Sequence, residues 1–132
     1  MFLSRCLLLL VIAMLAACAT SPLQSGGSFF ASKAEKTLSA GIAQYDDGKY
    51  PEAIQSLQDA LNLGLGTNDQ VKAHKYLAFA QCVSGHEKPC REEFRKALEI
   101  NPAMELAPSE AGHPIWGPVF KSVKAKKLES KK

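Results

Sequence analysis

From Ala34 to Met104 the apolar positions recur with a helical period, and turn residues interrupt them at regular places. Tyr50, Ala53, Leu57 and Ala60 are spaced by three, four and three, which puts them on one face of a helix. Pro51 fits the first turn of that helix, where a missing backbone donor costs nothing. The pattern predicts four helices here: about Lys33–Asp47, Tyr50–Leu63, a third capped by Asn68 or Asp69 and running to Val83, and a fourth from Lys88-Pro89 to Ile100. No β alternation of useful length occurs, so the expected fold class is all-α.

The pattern is written twice. Placing Gly48 on Gly85 superposes Ala53 on Cys90, Leu57 on Phe94 and Ala60 on Ala97. Small residues fall where paired helices cross, and large apolar ones fill the seam between them. Gly48 and Gly85 supply the turns, and Pro102 follows the last helical turn. Each unit is then 34 residues, Ala34–Thr67 and Val71–Met104, with Asn68-Asp69-Gln70 inserted between them. Through Gly48-Lys49-Tyr50-Pro51-Glu52-Ala53-Ile54 and Phe94-Arg95-Lys96-Ala97-Leu98-Glu99-Ile100-Asn101-Pro102, the chain resembles tetratricopeptide (TPR) repeat proteins. That resemblance implies two antiparallel helical hairpins. Ala40 stands where the family usually has Leu, and no Pro closes the first unit.

Beyond Pro102, prolines and glycines predict an extended crossover through residues 105–114, then a final helix over about Ile115–Leu128. Ile115, Trp116, Val119, Phe120 and Val123 recur at helical spacing and would cover the open end of the stack, as solenoid caps do. Trp116 and Phe120 together would equally serve as a partner hot spot. Six lysines against Glu129 make the tail after Phe120 basic, a solvated helix end or an attraction for anionic headgroups or an acidic partner.

The first 17 residues carry a different pattern. Arg5 precedes the apolar run Leu7–Leu15, which is too short to span a bilayer comfortably. Leu15-Ala16-Ala17-Cys18 then resembles the lipobox of bacterial lipoproteins. The resemblance implies a signal peptide over 1–17, lipidation of Cys18 and firm membrane anchoring; an ordinary secretory signal and a retained anchor are the alternatives. Ala19 rather than Asp after Cys18 favours the outer membrane, facing the periplasm, by the same resemblance. Residues 18–33 read as a Ser/Gly-rich flexible tether, with Phe29-Phe30 docking on the first helix.

With Cys6 removed and Cys18 lipidated, Cys82 and Cys90 remain, flanking the second hairpin's turn. An oxidising periplasm would let them bridge and staple a small core; the alternative is a buried free thiol at Cys90 in place of alanine. His74, His86 and His113 are scattered, and no nucleophile has a base at recognisable spacing, so neither an enzyme, a metal site nor a cofactor is expected. Removing Arg5 with the signal leaves 15 Lys and Arg against 13 Asp and Glu. So slight an excess, in an exported chain, argues against nucleic-acid binding.

The function implied is a lipid-tethered periplasmic scaffold that holds a partner protein in an envelope assembly. Type VI secretion accessories are the first candidates, and a regulator that recruits a cell-wall or envelope enzyme is the alternative. In the TPR family the first helix of each hairpin lines the binding groove. Carried over, those positions are Leu38, Ile42, Tyr45 and Asp46 from the first unit and Lys72, Lys75, Phe79 and Val83 from the second. That mixture would suit an extended or helical segment with an acidic end. The sequence leaves the oligomeric state open.

Overall fold

The turn after each long helix is built the same way twice. A shift of 37 residues carries Gly48 onto Gly85, and with it a whole set of backbone hydrogen bonds. The N–H of Gly48 donates to Tyr45 O at 2.9 Å, and that of Gly85 to Cys82 O at 3.0 Å. Lys49 to Gln44 (2.8 Å) matches His86 to Gln81 (2.9 Å), and Ala53 to Lys49 (2.9 Å) matches Cys90 to His86 (3.0 Å). Both glycines sit at positive φ, 77° and 78°, in the left-handed region that side chains with a Cβ disfavour.

The computed structural model describes the backbone of residues 25–130 and side chains from residue 32 onward. The expected signal peptide, Cys18 and Lys131-Lys132 lie outside those residues, as do the side chains of Phe29 and Phe30. Six helices occur among the described residues, with no strand: α1 (Ser25–Asp46), α2 (Tyr50–Leu63), α3 (Thr67–Val83), α4 (Glu87–Ile100), α5 (Pro108–Ala111) and α6 (Trp116–Glu129). Helices α1 and α2 form one hairpin and α3 and α4 the next, and α2 packs on α3 to stack them. The fold is all-α and TPR-like.

Three boundaries differ from expectation. Helix α1 begins at Ser25, so the second half of the supposed tether, residues 25–33, is helical. Its Ser and Gly content masked a stripe in which Phe30, Ala34 and Leu38 follow at four-residue spacing. Helix α3 starts at Thr67 with Gly66 as its extended N-cap and no side-chain cap, so neither Asn68 nor Asp69 caps it. The three inserted residues are absorbed into the first turn of α3, where Gln70 Nε2 reaches back to Leu65 O at 2.8 Å. Finally, the crossover is not wholly extended. Pro108 opens the one-turn helix α5, whose Glu110 carboxylate accepts the Ala107 N–H at 3.0 Å.

Two apolar clusters hold the stack. The first joins Ala34, Leu38, Leu57, Ala60, Leu65, Ala73 and Leu77, which seats the first hairpin on the N-terminal half of α3. Gly41 lets α1 and α2 cross closely here; a Cβ on it would come within 2.8 Å of Leu57 Cγ. The second gathers Phe79, Cys82, Cys90, Phe94, Leu98, Met104, Leu106, Trp116 and Phe120 around the second hairpin and its cap. Burying each Phe, Leu or Met side chain among these is worth about 1.5–3 kcal/mol. Helix α6 runs alongside α4 in the same direction: Phe120 meets Phe94, with ring centroids 5.3 Å apart, while Leu128 lies further along beside Leu98 and Pro102. A parallel neighbour needs a long connection, and residues 101–115 supply it.

Candidate partner-binding surface

The faces of α1 and α3 that should form a groove do lie side by side, but the chain's own C-terminal segment fills half of it. Trp116 stacks on Phe79 with ring centroids 4.5 Å apart and planes 24° from parallel. Its edge also meets Tyr45, at 6.4 Å. The indole Nε1 donates to Glu110 O at 3.0 Å, and His113 stacks flat on the Trp116 ring. Lys75 Nζ donates to the Glu110 carboxylate at 2.7 Å and lies near the Tyr76 and Phe79 rings. Helix α5 and Trp116 thus sit on the second unit's inner face.

This corrects the groove assignment residue by residue. Leu38 and Phe79 are core, 3% and 2% exposed, and offer nothing to a partner. Val83 is half-buried against the second cluster, and Lys75 is engaged within the chain. Tyr45 is half-buried, and burial first, then the nearby Tyr50 and Asp46, push its hydroxyl up to about 12. Asp46 and Lys72 stand exposed and Ile42 half-buried, a shelf along α1 and α3 rather than a groove. Lys72 also reaches Asp69 at 3.4 Å. Trp116 and Phe120 are 7% and 4% exposed; they cap the second hairpin from its inner side, and their burial leaves them unsuited to a hot spot in this conformation.

Cys82 and Cys90 are joined in a disulfide, with Cα atoms 5.1 Å apart across the α3–α4 turn. Cys90 has no exposed surface and sits among Phe79, Phe94 and Ala97, so the bridge belongs to the second cluster.

The most buried charged network lies on the opposite side. His74 Nδ1 contacts Glu93 Oε2 at 2.6 Å, and Lys96 donates to Glu93 Oε1 at 2.8 Å. Burial pushes the Glu93 carboxyl up, but hydrogen bonds from His74 and Lys96, with their charges, outweigh it and hold it below the ordinary carboxylate value. Gln55, Gln58, Asp59 and Asn62 of α2 complete that hollow. It is a polar seam between hairpins. Among the described residues no group of three or more His, Cys, Asp or Glu side chains is placed to hold a metal ion.

No protein-family model matches the chain, and no solved structure does. Curated sequences do. The chain is 36% identical over 62 residues to Photosystem I assembly protein Ycf3 of Synechococcus sp. (strain CC9605), and 32% identical over the same length to that of strain CC9902. Each match covers 47% of this chain and 36% of the relative, so the chain spans about a third of the length of the curated relatives it matches.

One further surface joins residues that lie far apart in the sequence. Lys88, Arg91, Glu92, Arg95 and Glu99 of α4 face Val123, Lys126, Lys127 and Ser130 of α6 across an open groove of about 450 Å³. The α4 residues follow helical spacing and were legible as a stripe. That α6 forms the other wall was not, because the fold of the crossover decides it.

Proposed function

We propose that this chain is a docking adaptor, which uses a stacked pair of TPR-like hairpins to hold a protein partner in a multi-protein assembly. The observation that carries this reading is the use of its side chains. Its buried residues build a helical stack, and among the described residues its charged groups pair with one another, in the seam between hairpins and along the outer helix faces. The name of the matched relatives, which assemble photosystem I, supports an assembly role in general; it lends nothing to a secretion accessory in particular. In this proposal the lipobox-like Leu15-Ala16-Ala17-Cys18 places a lipid anchor on Cys18, and the chain works at the periplasmic face of a bacterial outer membrane.

The test is in-cell crosslinking followed by affinity purification of the tagged full-length chain. Wild type is compared with an Asp46→Lys/Lys72→Glu variant, whose two sites are exposed and leave the core intact. A defined set of proteins recovered with wild type and depleted with the variant supports the adaptor and places its contact on the α1–α3 shelf. Equal recovery removes the shelf. Recovery of no protein partner by wild type overturns the adaptor. Incorporation of a labelled fatty acid, lost in Cys18→Ser, tests the anchor separately.

A further inference from the structure

We infer that the groove between α4 and α6 docks an acidic helical segment of a protein partner. The inference rests on the adaptor reading and names a surface and a partner chemistry for it. One wall is the α4 stripe Lys88, Arg91, Glu92, Arg95 and Glu99; the other is Val123, Lys126, Lys127 and Ser130 of α6. Five cations thus face two carboxylates. The α4 stripe runs for about 16 Å at 1.5 Å per residue, the length of three helical turns.

The two kinds of cation differ in their freedom. Arg95 is held by Glu92 and Glu99, and Arg91 by Glu87 at 2.7 Å, with its other nitrogen 3.4 Å from Ser122 Oγ of α6. Lys88, Lys126 and Lys127 form no ion pair among the described residues. The unneutralised charge therefore lies at the two ends of the groove, while its middle is balanced and presents Val123 as an apolar contact. A helix with carboxylates toward both ends and an aliphatic residue between them matches this arrangement. The groove also lies between two parallel helices, and a third helix packs naturally into such a furrow. An anionic bilayer is a poorer fit. It would favour a convex, uniformly cationic face, whereas Glu92 and Glu99 stand in this wall and would repel a sheet of headgroups.

Fluorescence anisotropy with the full chain in neutral detergent micelles tests the assignment. The probe is a labelled alanine-based peptide of about 12 residues, three helical turns, with Glu near both ends and Leu at its centre. A second peptide carries Gln in place of Glu. The Glu peptide should bind, and more weakly as salt rises toward about 0.5 M. The Gln peptide and the Lys126→Glu/Lys127→Glu variant should each weaken binding by roughly tenfold, since reversal turns two attractions into repulsions. Asp46→Lys/Lys72→Glu should leave it unchanged. Failure of the Glu peptide to bind wild type, or equal binding by the Lys126→Glu/Lys127→Glu variant, overturns the inference. So does binding to phosphatidylglycerol vesicles that depends on Lys126 and Lys127 when peptide binding does not. If the peptide fails while cellular partners are still recovered with wild type, the groove falls and the adaptor stands; loss of those partners would remove the adaptor itself.

Discussion

Replacing Trp116 by alanine should remove a large part of the stability of the second hairpin. The indole rests on Phe79, touches Tyr45, is covered by His113 and donates to Glu110 O, with only 7% of its surface exposed. A buried aromatic of this size removes about 150–250 Å² from water. At about 25 cal/mol per Å² that is roughly 4–6 kcal/mol, an upper bound because the unfolded chain already buries some of it. Losing the Nε1 bond adds about 1 kcal/mol. Partial collapse of the site offsets part of the total, so the expected loss is about 3–5 kcal/mol. Urea unfolding followed by far-ultraviolet circular dichroism measures it. With a slope of about 1–3 kcal/mol per molar, the midpoint should fall by about 2 M. Trp116→Phe keeps the stacking and should lose less than half as much. Trp116 is the chain's one tryptophan, so wild-type fluorescence and dichroism should also unfold together. A loss below about 1 kcal/mol for Trp116→Ala, or fluorescence that changes well before dichroism, would refute the close docking of the C-terminal segment on α3.

Replacing both Cys82 and Cys90 by alanine opens a nine-residue loop and should cost about 2.5 kcal/mol in urea unfolding, with reductant making no further difference to the variant. Gly41→Ala drives a Cβ against Leu57 at the α1–α2 crossing and should destabilise by about 1–3 kcal/mol, read from the thermal midpoint. Glu93, whose folded value is held below the ordinary 4.5, contributes stability that is complete above that value and is lost as pH falls through its folded value. Glu93→Gln should therefore be less stable than wild type at neutral pH by about 1–3 kcal/mol, and the gap should close as pH falls through the folded value of Glu93.

Local elements were readable because local chemistry determines them. Gly48 and Gly85, Pro51 and the spacing of Ala53, Leu57 and Ala60 located the turns and α2. Tyr50–Leu63 was read residue for residue, and α4 and α6 to within about one. What failed was either hidden by composition or fixed by distant packing. Ser25–Ser32 looked like a tether because Ser and Gly are common in linkers, yet a helix is formed there. Phe79 looked like a groove residue because its position matches one. It is covered by Trp116, 37 residues later in the chain, and no local pattern announces that contact. The same crossover brings Lys126 and Lys127 across from the far end of the α4 stripe, beyond Arg95, which turned an apparently solvated tail into one wall of a groove.

In the proposed adaptor, the helical stack works by holding a protein on defined faces. Photo-crosslinking in cells tests it most directly, with a photoreactive residue placed in the full-length chain at Lys72 on the shelf, Lys126 in the α4–α6 groove and Glu52 on the exposed side of α2. Defined protein adducts from Lys72 or Lys126, with none from Glu52, are the predicted result. Adducts of equal yield from all three positions, or to lipid alone, would contradict it.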